Sequence, residues 1–148
     1  MKKHVVELEE FNTEAAQFAA SLETRSDTAT LVTLSGELGA GKTAFVRGIA
    51  SGLGIDPEDV SSPTFTLLHE YRGGRFTLYH ADLYRLERTA AEDIGLEEPA
   101  IAEGVLAIEW PDRLSHEMAG AIHVTLEITG DTARRIEIIP SGSSALPS

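Results

Sequence analysis

Cysteine is absent from this chain, and so is any long run of apolar residues. Without thiols the protein has no disulfide bond, no zinc site built on thiolates, no iron–sulfur cluster and no cysteine nucleophile, so its stability must come from packing alone. No apolar run approaches the roughly 20 residues that span a bilayer, and the amino-terminal segment turns acidic before a signal-like stretch develops. We therefore expect a cytoplasmic protein that does not enter the membrane.

Basic residues are few. Twelve Lys and Arg stand against 24 Asp and Glu, which gives a formal net charge of −12. Basic side chains stand at most two together, as in Lys2–Lys3 and Arg134–Arg135. A surface that neutralises many phosphates needs clustered Lys and Arg. Direct, tight binding of tRNA or DNA is therefore disfavoured.

The rest of the composition is that of an ordinary globular domain. Of the 148 residues, 42% are hydrophobic and 24% are charged, which argues against general disorder and leaves room for one hydrophobic core. We expect a single domain over residues 1–140. Residues 141–148 form a tail of Gly, Ser and Pro that we expect to be flexible.

Hydrophobic patterning predicts alternating strands and helices. Strands are expected at His4–Leu8, Leu31–Leu34 and Val105–Ile108, and helices from Asn12 or Thr13 to Glu23 and from Gly41 to about Gly52. One hairpin is expected over residues 64–79, with a primed turn at Gly73–Gly74 and a second strand at Arg75–Tyr79, and another over residues 121–139. The acidic segment Glu87–Glu103 is expected to tend towards a helix. Strands alternating with helices in this way are typical of an α/β fold.

Residues 36–43, GELGAGKT, match the pattern G-x-x-x-x-G-K-S/T and stand between an apolar strand and a helix. Glycines let a backbone wrap a polyphosphate, and a helix N-terminus presents free N–H groups to the anion. We expect Lys42 to reach the β- and γ-phosphates and the Thr43 hydroxyl to bind Mg²⁺. The backbone that would bind the phosphates runs through Glu37, Leu38, Gly39, Ala40 and Gly41. The motif predicts a three-layer P-loop NTPase-like fold, with a mixed central sheet extended by antiparallel hairpins; the alternative is a Gly-rich turn that only caps a helix.

A P-loop requires a further acidic residue at the end of a neighbouring strand, to hold Mg²⁺ or to orient water. Two acidic residues qualify: Glu109 closes the apolar run Val105–Ile108, and Asp82 follows Leu78–His80. Either residue alone could instead be a solvated strand end or a helix cap. Which of the two would act as base and which as metal ligand stays open.

Three further residues near these motifs have both a structural and a functional interpretation. Thr64 follows a proline-fixed turn, where it could sense a γ-phosphate or simply begin a strand. His80 could shuttle protons or be a hydrogen-bonded structural residue. Trp110, the only tryptophan, could cover the nucleotide, contact a partner or pack in the core.

Four segments follow one another along the chain: GELGAGKT at 36–43, SPTF at 62–65, HADLYRL at 80–86 and IEWPDR at 108–113. In these segments and their order the chain resembles the TsaE (YjeE) family of small bacterial P-loop ATPases. The combination of these segments is far more specific than the P-loop alone. One departure is Ala81, which replaces a usual aromatic between His80 and Asp82 and should affect packing more than metal binding.

The resemblance implies an ATPase that works with the TsaB and TsaD proteins to form N6-threonylcarbamoyladenosine on tRNAs reading codons that begin with A. The chain would bind Mg-ATP, dock on TsaB and TsaD, and use hydrolysis to reset the complex between turnovers. It would meet tRNA only through that complex, as its acidic charge also suggests. Hydrolysis by the chain alone should be slow, because no arginine finger is identifiable in the sequence.

The resemblance also implies roles for individual residues. Lys42, Asp82 and Glu109 would form the catalytic group. Thr43, Asp82 and Glu109 would hold Mg²⁺. Trp110 would lie near the nucleotide or a partner, and Thr13 would lie near the adenine.

Other functions share the P-loop. A small-molecule or nucleoside kinase would need an acceptor pocket and an Arg-bearing lid, for which Arg85 and Arg88 are available but the chain is short. A signalling GTPase needs an N-K-x-D motif, and the only asparagine is Asn12. An adaptor that binds ATP without hydrolysing it is compatible with every motif.

Overall fold

The computed structural model describes residues 2–22, 30–37, 39–60, 68–83, 104–114 and 120–139. Within these residues the strands are β1 (Lys2–Glu7), β2 (Thr30–Ser35), β3 (Leu68–Tyr71), β4 (Leu78–Asp82), β5 (Val105–Glu109), β6 (Ile122–Ile128) and β7 (Ala133–Ile139). The helices are α1 (Leu8–Ala20) and α2 (Lys42–Leu53), with short 3₁₀ helices at Pro57–Asp59 and Pro111–Arg113. Among these residues no helix is both long and apolar enough to cross a membrane.

The strands form one mixed sheet in the order β1-β7-β6-β2-β5-β4-β3. β4, β5, β2 and β6 are parallel neighbours, whereas β3 pairs antiparallel with β4, and β7 pairs antiparallel with both β6 and β1. The predicted mixed sheet with antiparallel hairpins is confirmed. Since the central strands are parallel, the loops that follow β2, β4 and β5 all leave from the same edge of the sheet.

Helix α1 begins one turn earlier than the sequence predicted. The expectation that Asn12 or Thr13 caps this helix is wrong: it starts at Leu8, directly after β1, and Glu7 provides no side-chain cap. The early start places Phe11 on the same stripe as Ala15 and Ala19, and all three side chains are buried. Burial of an aromatic ring contributes more free energy than a single capping hydrogen bond.

The hairpin around Gly73–Gly74 has a longer connection than a primed two-residue turn. Tyr71 pairs with Leu78, so residues 72–77 form the connection and β4 starts later than predicted. Arg75 explains the difference, because its backbone N–H donates to Leu53 O at 2.6 Å and its guanidinium donates to the carbonyls of Ala19 and Leu22 at the end of α1. Tertiary contacts therefore remove this residue from the strand.

The two helices pack closely along a seam of small residues. Gly48 and Gly52 of α2 lie against Ala15, Ala16 and Ala19 of α1, and a Cβ on Gly48 would be 2.3 Å from the Cβ of Ala15. No larger residue fits at Gly48 without a shift of the helices. This seam could not be expected from sequence patterns, because glycine inside a helix is normally unfavourable.

Alternation along β4 and β5 determines which side chains face α2, because successive residues of a strand point to opposite faces. Leu78, Val105 and Ala107 share a core with α2, and Tyr79, Ala81, Leu106 and Ile108 belong to a second buried cluster. By the same alternation His80, Asp82 and Glu109 lie on the α2 face. The predicted helix within residues 87–103 and the tail at 141–148 lie outside the described residues.

Candidate nucleotide-binding site

The loop between β2 and α2 has the backbone geometry that its glycines permit. Gly39 has φ +88°, a left-handed conformation, and a Cβ there would meet nothing within 4 Å. Gly36 is required for a different reason, since a Cβ would lie 2.5 Å from the carbonyl oxygen of Leu126 on β6. One glycine thus allows the loop to turn, and the other allows it to approach the sheet.

Lys42, the first residue of α2, points back into this loop. The residue is only 5% exposed, and Nζ donates to the carbonyl oxygens of Gly36 at 2.7 Å and Glu37 at 2.9 Å. Burial lowers the pKa of Lys42 from its ordinary value, whereas the negative charges of Glu109, Asp82, Asp112 and Glu37 oppose that shift. The loop therefore encloses an ammonium group that is surrounded by acidic residues.

Thr43 connects the start of α2 to the end of β5. Its Oγ1 lies 2.9 Å from Glu109 Oε2 and 3.1 Å from Oε1, so the hydroxyl donates to the carboxylate. The Glu109 side chain is buried, with 3% of the residue exposed. A buried carboxylate needs such donors, because removal from water disfavours its charge. The hydroxyl of the P-loop and the acid at the strand end, predicted separately from sequence, therefore meet.

Asp82 lies beside Glu109. The two residues are register partners at the ends of the parallel strands β4 and β5, and both belong to the face of the sheet that packs on α2. Asp82 is half-buried. The structure thus brings together Lys42, Thr43, Asp82 and Glu109.

His80 also joins this group, and the sequence left open whether it would shuttle protons or be a hydrogen-bonded structural residue. Its Nε2 lies 2.5 Å from Glu109 Oε2, and the ring is completely buried. The signal that could have found it is its position two residues before Asp82, which puts both side chains on one face of β4.

Trp110 follows Glu109 and adopts an unusual backbone conformation, with φ 60° and ψ 54°. It is the only non-glycine residue with positive φ among the described residues. The turn places Lys42 Nζ 4.1 Å from the centre of the indole ring and the Arg113 guanidinium carbon 6.0 Å from it. Trp110 therefore contacts the ammonium group of the P-loop lysine.

The other predicted residues lie on α1, in the loop between β2 and α2, or outside the described residues. Thr13 is an exposed residue of α1, and its neighbour Phe11 is the residue that approaches the P-loop, 3.2 Å from where a Cβ on Gly41 would be. Glu37 and Gly39 are exposed in the loop, and Ala40 is buried. Leu38 and Thr64 lie outside the described residues.

A strand, a glycine-rich loop and a helix that starts with Lys-Thr, facing an acidic residue on the neighbouring parallel strand, define a P-loop NTPase-like fold. The family model described as "Threonylcarbamoyl adenosine biosynthesis protein TsaE" matches residues 9–136. The chain belongs to the TsaE family, whose members take part in the biosynthesis of threonylcarbamoyladenosine in tRNA.

Individual relatives agree with this assignment. The chain is 43% identical to the tRNA threonylcarbamoyladenosine biosynthesis protein TsaE of Nostoc sp., over 74% of this chain and 70% of the relative. It is 37% identical to the TsaE protein of Aquifex aeolicus, over 93% of this chain and 96% of the relative. Among solved structures, Bacillus subtilis YdiB matches with a TM-score of 0.68 and 32% identity, covering 95% of this chain and 87% of that one.

Proposed function

We propose that this chain is a Mg²⁺-dependent ATPase that binds the TsaB–TsaD complex and supports its multiple turnover in forming N6-threonylcarbamoyladenosine on tRNAs reading codons that begin with A. The observation that carries the proposal is the meeting of Thr43 and Glu109 beside the buried ammonium group of Lys42. This arrangement sits at the strand–loop–helix junction that P-loop proteins use for phosphates.

The residues present fit a nucleoside triphosphate. Among the described residues, the Lys42 ammonium group donates to loop carbonyls, at Gly36 and Glu37, in the hydrogen bonds described above. Such contacts with neutral oxygens are weaker than contacts with anionic phosphate oxygens. Lys42 would therefore exchange them for the β- and γ-phosphates, and the backbone N–H groups at the start of α2 would bind the same anion.

The residues also fit Mg²⁺. This ion prefers oxygen ligands and is commonly bound by one or two carboxylates together with substrate phosphates. Thr43 offers a hydroxyl, and Glu109 and Asp82 offer carboxylates, in adjacent positions. In the described residues no cluster of three or more His, Asp or Glu forms a metal site of its own, so these residues would bind the ion together with nucleotide phosphates. When bound, Mg²⁺ would supply neutralisation of the negative charge that develops on the phosphates.

Hydrolysis requires a positioned water and stabilisation of the phosphoryl group that is transferred. Glu109, which contacts Thr43, and Asp82, the register partner of Glu109, are acidic side chains that could orient that water, and Lys42 supplies positive charge. We propose that hydrolysis by the isolated chain is slow and that TsaB and TsaD complete the site. The net charge of −12 supports contact with tRNA only through these partners, because the phosphate backbone repels an acidic surface.

The test is a reconstituted tRNA modification reaction with TsaB, TsaD and ATP, followed beyond one turnover. We expect Lys42→Ala to stop multiple turnover, because the phosphates lose their ammonium partner. Arg72→Ala is the matched control, since it removes an exposed positive charge that pairs only with Glu70 among the contacts described. Normal turnover with Lys42→Ala would overturn the proposal.

A further inference from the structure

His80 is a polar ring enclosed in the core with a single hydrogen bond among the described residues. The residue has no exposed surface, and its Nε2 lies 2.5 Å from Glu109 Oε2. Its other ring nitrogen, Nδ1, is buried and has no hydrogen-bond partner in that part of the chain. Within the described parts of the chain, the polar contact of this ring is therefore with the carboxylate that also accepts the Thr43 hydroxyl.

The direction of the hydrogen bond follows from the chemistry of the groups. An ionised carboxylate can only accept, so the hydrogen between the two residues belongs to Nε2 of His80. In a neutral ring the lone pair then lies on Nδ1, where no donor is present among the described residues. The tautomer with hydrogen on Nε2 is thus the one that the surroundings favour.

Stability alone gives no reason for a histidine at this position. A buried ring with one unpaired nitrogen is less favourable than an aliphatic side chain of similar size, because the unpaired atom has lost its hydrogen bond to water. The hydrogen bond to Glu109 does have a function, since it restricts a carboxylate side chain that could otherwise adopt several rotamers. The Glu109 carboxylate accepts a hydrogen bond from the Thr43 hydroxyl on α2 and one from His80 Nε2 on β4, and together these two donors orient the carboxylate group.

We propose that His80 is a positioning residue that holds Glu109 against Thr43, so that the oxygen ligands from these two residues are in place before Mg²⁺ binds. The inference rests on the proposed function, in which Thr43 and Glu109 bind Mg²⁺ with the nucleotide. His80 itself touches neither the ion nor the phosphates. It acts through the orientation of the carboxylate, as outer partners of metal ligands do in other proteins.

Two substitutions separate this role from simple packing. Gln can place its amide nitrogen where the ring has Nε2, whereas Asn can place its amide nitrogen only near Nδ1. We would measure ADP binding by calorimetry at a series of MgCl₂ concentrations and without Mg²⁺, for the wild type, His80→Gln and His80→Asn. We expect the Mg²⁺ concentration that half-maximally changes ADP binding to be about 10–100-fold higher for His80→Asn than for the wild type. For His80→Gln this concentration should stay within about 3-fold of the wild-type value. ADP binding without Mg²⁺ should be the same in all three proteins.

The outcomes are distinguishable. If the wild type binds Mg-ADP and His80→Asn has the same Mg²⁺ dependence, the positioning role is overturned and the proposed function stands. If the wild type does not respond to Mg²⁺ with ADP, the proposed function fails and the inference fails with it. Should His80→Asn not fold, nitrogen-15 spectra of the imidazole in the wild type decide: hydrogen on Nε2 supports the inference, and hydrogen on Nδ1 alone overturns it.

Discussion

The ammonium nitrogen of Lys42 lies 4.1 Å from the centre of the Trp110 ring. This contact joins the P-loop to the turn after β5, where Trp110 has a left-handed φ of 60°. A non-glycine residue in that conformation costs on the order of 1–3 kcal/mol and persists only when its surroundings fix it. Here Trp110 N–H bonds to Leu34 O at 3.3 Å, and the residue that follows it, Pro111, has a φ fixed by its ring. The ring is thus held beside the Lys42 ammonium group, which we propose binds the nucleotide phosphates.

The first prediction is that nucleotide binding changes the fluorescence of Trp110. Phosphates that attract the Lys42 ammonium group would weaken its contact with the indole ring. Because Trp110 is the only tryptophan, its emission reports this one position. We expect a saturable change in emission when ADP and MgCl₂ are added, with the same midpoint as calorimetry. Lys42→Ala should abolish it, and an unchanged emission at calorimetric saturation would contradict the prediction.

The second prediction distinguishes an ATPase from a non-hydrolysing adaptor. Glu109→Gln keeps the length of the side chain but removes the charge next to Thr43. We expect ATP hydrolysis in the presence of TsaB and TsaD to fall by about 100-fold or more, because the proposed function gives that carboxylate a part in metal binding or in water orientation. Binding of ADP without Mg²⁺ should remain, and multiple turnover of tRNA modification should stop.

Glu127→Gln is the matched control for this experiment. Glu127 is an exposed carboxylate on β6 whose ion pair is with Arg135, on the neighbouring strand. Its substitution should leave hydrolysis unchanged. If Glu109→Gln lost hydrolysis but still supported many turnovers of tRNA modification, the adaptor would be the correct function.

The third prediction concerns the seam between α1 and α2. Gly48→Ala would place a Cβ 2.3 Å from the Cβ of Ala15, which neither helix can accommodate without moving. We expect the free energy of unfolding to fall by about 1–3 kcal/mol, although alanine in an ordinary helix position is favoured over glycine by about 1 kcal/mol. Urea denaturation followed by circular dichroism would measure the change.

Ser51→Ala serves as the control for Gly48→Ala, since Ser51 is exposed on the same helix. It should alter the free energy of unfolding by less than about 0.5 kcal/mol. A Gly48→Ala protein as stable as the wild type would mean that the two helices are not packed as closely as described.

Much of the site could be predicted because its parts are encoded locally. Gly36, Lys42 and Thr43 are close in sequence, and their pattern alone indicates a phosphate loop. Glu109 and Asp82 could be found because each follows an apolar strand, and parallel strands end at the same edge of a sheet. Their roles in the reaction stay predictions.

Where the predictions were wrong or incomplete, contacts between distant residues were the cause. The start of α1 was misplaced because burial of Phe11 outweighs the capping preference of Asn12 or Thr13. The hairpin turn was misjudged because Arg75 bonds to the ends of both helices. A propensity argument considers neighbours in sequence and cannot weigh such contacts.

By itself, the sequence determined the glycine-rich loop, the mixed α/β sheet and the two acidic strand ends, since each depends on residue types and their spacing along the chain. Only the tertiary structure decided that His80 Nε2 lies within hydrogen-bond distance of Glu109, that Trp110 lies against Lys42 and that Gly48 lies against Ala15. These pairs are far apart in sequence, and their contacts exist only after the sheet and helices have packed together.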